Sequence, residues 1–206
     1  MLHPELIYQY ATTADEEDAF EILVILVAYF LSLFDAEQRI FIEDNNLDLP
    51  DDLFGQTRES FSMYITDLLI NFRQRIQEEM RKPDKDGNLL DKAAVFLLVE
   101  SQFETIRDSE SVNAQQLAQF EVVTVVQQTI PAAKIYKTWI AKNDEDTCEI
   151  CRALHGTTIP IDEPFLVAGQ RVDLPSGKEF IYNYIDRYTC IAHPHDRCMI
   201  EFSIVY

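Results

Sequence analysis

All four cysteines of this 206-residue chain, Cys148, Cys151, Cys190 and Cys198, fall in its last third. Cys148-Glu149-Ile150-Cys151 is the sharpest chemical signal. A two-residue spacer lets both thiolates of one tight turn face a single tetrahedral ion, and soft sulfur with imidazole suits zinc. The second half of such a site would come from Cys190 to Cys198, a stretch that also holds His193, His195 and Asp196. The interval between the halves is longer than in a short zinc finger, and an inserted hairpin can span it.

Other chemistries compete for these residues. A redox dithiol normally opens a helix after a strand in a thioredoxin-like unit, whereas Arg152 to Gly156 leaves room for only a short turn. Four buried, unliganded cysteines would be inert packing. His193-x-His195 with Asp196 could be read as a metal-dependent nuclease or hydrolase centre. An open catalytic zinc, however, needs three protein ligands, a water and a base. Here there are four soft ligands and no basic substrate channel, so no enzyme is expected. His155 precedes a glycine and reads as a turn residue, and His195 as a solvated neighbour of His193. The N-terminus has no basic stretch, so a secretory signal is not expected. Clustered cysteines in a reducing compartment more often bind metal than pair.

The elements that must position these residues change character along the chain. Ile22 to Phe34 is an apolar run interrupted only by Ser32, with Glu21 and Asp35 at its ends. It is shorter than the ~20 residues a membrane crossing needs, so it reads as a buried helix and a candidate oligomer or partner contact. After an acidic break at Asp44–Asp52, a second helix spans about Thr57 to Met80, with Phe61, Ile65, Leu68, Leu69, Phe72 and Ile76 in an amphipathic stripe. A third begins near Leu90, and a fourth runs from Ser111 to Thr129, ending at Pro131. Beyond it, Lys134–Ala141, Thr157–Ile161, Lys178–Tyr184 and Met199–Tyr206 read as strands, with a hairpin tip at Asp173–Lys178. The expected fold is therefore α+β. A mostly helical region, 1–131, precedes a small zinc-stapled, β-rich module, 132–206.

The charge narrows the partners. Formal net charge is −19, and the acidity is spread over both regions. A protein that neutralises DNA phosphates needs clustered Lys and Arg; none stands out here. An acidic surface instead suits proximity to DNA without adhesion.

Lys137-Thr138-Trp139-Ile140, Asp144 to Thr147, and Cys148-Glu149-Ile150-Cys151-Arg152-Ala153-Leu154-His155-Gly156 together resemble the W-x(n)-D-x-x-C-x-x-C-x-x-L-x-G signature of phage head morphogenesis proteins, the Mu-F-like minor head proteins. Thr158 to Phe165, Ala192-His193-Pro194 and Arg197-Cys198 continue the resemblance. Upstream, Ile106 with Ser109-Glu110-Ser111 and Ala114 is similar to the family's I-x-x-T-E-[ST]-x-x-A. The resemblance covers about residues 90–206. By position it implies the zinc ligands Cys148, Cys151, His193 and Cys198. The family's closing H-P-x-C-R-C has Asp196 in place of its first cysteine, so Asp196 or Cys190 stands as an alternative ligand. The family's Arg before the T-E pair falls on Asp108, with Arg107 one place earlier. The resemblance further implies a structural virion component, made in the bacterial cytoplasm and located in the phage head. It would associate with portal or major capsid proteins and serve head assembly or genome delivery. A homo-oligomer is compatible with that role, a membrane is not expected, and DNA would be near but not bound by sequence. A bacterial protein-binding adaptor is the remaining alternative.

Overall fold

The computed structural model describes residues 2–50, 53–83, 85–142, 144–145, 147–184 and 198–206. Among them the chain forms five helices and five strands: α1 (Pro4–Thr12), α2 (Glu16–Asp44), α3 (Gln56–Arg81), α4 (Lys92–Thr129), β1 (Lys134–Ile140), α5 (Glu149–Leu154), β2 (Thr158–Pro160), β3 (Gln170–Asp173), β4 (Glu179–Tyr182) and β5 (Met199–Val205). The class is α+β, with a mostly helical N-terminal region and a small β C-terminal region. Residues sort into two compact units: Met1–Glu37 with Gly55–Ala118, and Gln38–Phe54 with Gln119–Tyr206. Both α2 and α4 extend from one unit into the other.

In the first unit the amphipathic stripes meet. Leu26, Phe30 and Phe34 of α2, Phe61, Ile65, Leu69, Phe72 and Ile76 of α3, and Val95, Val99 and Phe103 of α4 form one apolar core with α1. Aromatic rings link the helices: Phe34 stacks near Phe61 at 5.8 Å, and Phe103 meets both Phe72 at 5.9 Å and Phe30 at 6.4 Å. The start of α2 is set by Asp15, whose carboxylate accepts from the Glu17 and Asp18 amides at 2.9 and 3.2 Å; such a cap satisfies amide donors that have no partner within the helix.

The apolar run of residues 22–34 is part of a much longer helix than its composition suggests. By length and composition α2 could cross a membrane, but it contributes Ala19, Ile22, Leu23, Leu26, Phe30 and Phe34 to the core. The two helices expected from Leu90 and from Ser111 form the single helix α4. The sequence between them lacks Gly and Pro, and the hydroxyls of Thr105 and Ser111 bond the carbonyls four residues back, at 3.2 and 2.7 Å, which keeps them compatible with the helix.

In the second unit, β1 is the central strand of a three-stranded antiparallel sheet ordered β2-β1-β5. Its register sets Lys137 opposite Ile159 on one side and Phe202 on the other. β3 and β4 form a separate hairpin, Asp173 opposite Glu179, closed by Leu174 N–H donating to the Lys178 carbonyl at 2.8 Å. The expected tip at 173–178 is present, whereas Gln170–Asp173 was not expected to be a strand.

Candidate metal centre

The chain leaves β1 at Ile140, crosses a polar loop and enters α5 at Cys148. That loop is held by its own side chains. The Thr147 hydroxyl donates to the Asp144 carboxylate at 3.0 Å and accepts from the Asp144 amide at 3.1 Å. Arg152, one turn into α5, donates to the Asp144 and Glu145 carbonyls at 2.8 and 3.3 Å. Arg152 and Thr147 therefore fix where Cys148 stands. The Ser176 hydroxyl at the β3–β4 tip donates to the Glu149 carboxylate at 2.9 Å, tying the hairpin to the same turn.

Cys148 caps α5. Its sulfur accepts from the Cys151 amide at 3.3 Å, and the two sulfurs lie 3.0 Å apart in hydrogen-bond contact. That separation is too long for a disulfide, whose sulfurs are ~2.05 Å apart. Two thiolates on one tetrahedral zinc, at ~2.3 Å bonds, sit about 3.8 Å apart. The pair thus reaches a metal-holding separation through a side-chain adjustment of under about 1 Å, without moving the backbone. Cys151 is buried and Cys148 half-buried, against an apolar cluster that contains Trp139, Leu154 and Cys198.

Cys198 directly precedes β5. Because Met199 pairs with Ile140, Cys198 is brought to the same end of the sheet from which the chain sets out toward Cys148. Gly156 makes the return possible: its φ of 79° is costly for residues with a Cβ, and its amide donates to the Trp139 carbonyl at 2.8 Å. His155 is a turn residue here. Its Nδ1 accepts from the Ala141 amide at 3.1 Å, pinning the end of α5 to the end of β1.

Three of the four expected ligands, Cys148, Cys151 and Cys198, are thus assigned places, while His193 lies outside the described residues, as do Cys190, His195 and Asp196. Among the described residues no group of three or more His, Cys, Asp or Glu side chains is arranged to hold a metal ion.

Two residues of β1 have roles that sequence reasoning passed over. Lys137 is only 1% exposed, and its ammonium lies 5.2 Å from the centre of the Phe165 ring. Burial pushes its pKa down to about 8, against the opposing pull of Asp162 and Glu163. Trp139 is fully buried, edge-on to the same Phe165 ring at 5.2 Å, and its indole N–H finds no acceptor among the described residues. Strand alternation places Ile135, Lys137 and Trp139 on one face, so this arrangement could have been found from spacing alone. In the first unit, the buried Glu110 accepts from the Tyr64 hydroxyl at 3.1 Å and the Asn113 amide at 2.9 Å. Arg107 instead holds Asp108, at 3.1 and 3.0 Å.

Compared with known proteins, residues 71–198 match the family described as phage Mu protein F like protein. No curated protein and no solved structure matches the chain. The family match runs from the second half of α3 through α4, β1, Cys148 and Cys151 to Cys198, more than half of the sequence; the chain belongs to the phage Mu protein F-like family.

Proposed function

We propose that this protein is a structural minor head protein of a tailed bacteriophage, associated with portal or capsid subunits and acting in head assembly or genome delivery. Family membership across residues 71–198 carries the reading, since it points to phage head morphogenesis and to a place in the virion. The acidic charge of −19 supports a component that stays beside packaged DNA without adhering to it. The test is whether the chain co-purifies with portal and capsid proteins in assembled particles. Particles of normal composition and infectivity made without it would overturn the assignment.

The same reading assigns Cys148, Cys151, His193 and Cys198 to one structural zinc ion. The thiol pair fits such an ion in donor type, in its near-correct sulfur separation and in its apolar surroundings. The metal would supply no reaction, only a cross-link between α5 and the start of β5. Metal analysis of the purified chain is expected to give about one zinc per chain, lost in Cys151→Ser and retained in Cys190→Ser. Equal loss in both variants would move Cys190 into the ligand set in place of one of the four. Zinc-free native protein would remove the site altogether.

A further inference from the structure

The outward face of α2 is apolar where a solvated helix should be charged. Phe20, Val24 and Ile25 are 65%, 52% and 50% exposed, and Ala28 continues the same face. From Ile22 to Phe34 the helix carries no charged residue on any side. An apolar helix face of this kind is disfavoured in water and marks a contact surface.

Charge at its N-terminal end says what fits. Glu17, Asp18 and Glu21 are exposed beside Phe20 and Val24, and none has an ion-pair partner among the described residues; the neighbouring Glu16 is held by Arg73 at 3.0 Å. At the other end Asp35 is already clasped by Arg58 at 2.6 Å. The face is therefore an apolar strip with unneutralised negative charge at one end only. Membrane-surface helices carry Lys and Arg on their polar side and are drawn to anionic headgroups; α2 carries the opposite sign. A parallel second copy would set the acidic ends together. An antiparallel copy, paired about Val24 at the middle of the face, would bring Glu17 and Glu21 opposite Leu31 and Val27 and supply no cation to them. Two chains of charge −19 also repel as wholes.

We propose that the Phe20–Ala28 face of α2 is a docking surface for a protein partner that presents an amphipathic helix, apolar along its contact face and bearing Lys or Arg at the end that meets Glu17, Asp18 and Glu21. Apolar contact supplies the affinity, and the charged end sets orientation and excludes acidic partners. The surface is argued from the helix itself and does not rest on the head-protein reading.

Two labelled amphipathic peptides with one shared Leu/Ala face, flanked by Lys in one and by Glu in the other, test it by fluorescence anisotropy against the full chain. The Lys-flanked peptide is expected to bind saturably and at least about tenfold more tightly than the Glu-flanked one. Val24→Glu should weaken it about tenfold with the helical signal unchanged, even though it makes the protein more acidic. Ala28→Glu serves as a second variant. Glu17→Lys with Glu21→Lys should reverse the preference between peptides. Binding that is equal or stronger in Val24→Glu would show diffuse charge attraction and overturn the proposal. So would concentration-dependent dimers that Val24→Glu abolishes, or flotation of the chain with phosphatidylcholine vesicles.

Discussion

Phe30, Phe34, Phe61, Phe72 and Phe103 fill the first unit with rings and aliphatic chains drawn from long helices. In the second unit the buried side chains include Trp139, whose N–H finds no acceptor among the described residues, the ammonium-bearing Lys137, and the thiols of Cys151 and Cys198. The first unit also buries polar groups, but Glu110 there is answered by Tyr64 and Asn113. The second has short strands, a polar loop and polar groups inside its core, and the proposed zinc would add a cross-link to it. The chemistry expected from the sequence lies in this second unit.

The largest effect should come from removing the proposed zinc. Structural zinc binds small zinc-stapled peptides with roughly 10–16 kcal/mol. Stripping the ion with a strong chelator, or substituting Cys151→Ser, should therefore unfold much of the second unit. Trp139 is the only tryptophan and lies in that unit, so its emission reports the loss while far-UV circular dichroism follows mainly α1 to α4. Unchanged Trp139 emission and an unchanged unfolding midpoint in chelator would show that the second unit stands without metal.

The converse perturbation is Phe72→Ala. Phe72 is fully buried between α3 and α4, in contact with Phe103, and truncating such a ring costs about 3–5 kcal/mol. The dichroism midpoint should fall sharply and the Trp139 midpoint little. If both fall together, the two units unfold as one and the comparison between them no longer describes their energetics.

Lys137 sharpens the contrast within the second unit. Its folded-state pKa, about 8, lies below the ordinary value of 10.5. Between those values the unfolded chain holds a proton that the folded chain has released, so stability rises with pH across that window. Below about pH 8 the burial cost is fully present. The gain over the whole window should reach about 3 kcal/mol, of which about 2 kcal/mol falls below about pH 9.5. Lys137→Met should remove this pH dependence and stabilise the unit near neutrality, because an apolar chain of similar length replaces a buried charge. Denaturant midpoints read by Trp139 from about pH 7 to about pH 9.5 measure both. A Lys137→Met chain less stable than the parent at pH 7 would mean that the contact with Phe165 and the attraction of Asp162 and Glu163 outweigh desolvation.

The same division explains what could be read from the sequence. The α3 stripe, the break after Asp44, the β1 and β5 strands and the hairpin tip follow from periodicity and turn residues, which act locally. β3 carries one buried apolar residue, Val172, between polar neighbours, and it exists because β4 pairs with it; that is a tertiary cause. Separate helices were expected from about Leu90 and from about Ser111, yet no Gly or Pro between them breaks α4. α1 did carry a readable pattern, Pro4 at its start with Ile7, Tyr10 and Ala11 inward. For the candidate site, Cys148 and Cys151 were legible from their spacing alone. The role of Arg152 in holding the loop before it was not, because its partners are backbone carbonyls, which leave no mark in residue spacing.

The smallest expected effect compares the two capped helices. Asp15 caps α2 through the Glu17 and Asp18 amides, and Cys148 caps α5 through the Cys151 amide. Losing an ordinary cap costs about 1 kcal/mol, so Asp15→Ala should lower the dichroism midpoint by that amount and leave Trp139 unchanged. Serine is itself a strong cap, so Cys148→Ser keeps the hydrogen bond and deletes only the sulfur. If Cys148 does no more than cap α5, Cys148→Ser should be milder than Asp15→Ala. If the sulfur holds a metal, Cys148→Ser should be as damaging as Cys151→Ser, and the ratio of the two costs separates a helix cap from a ligand.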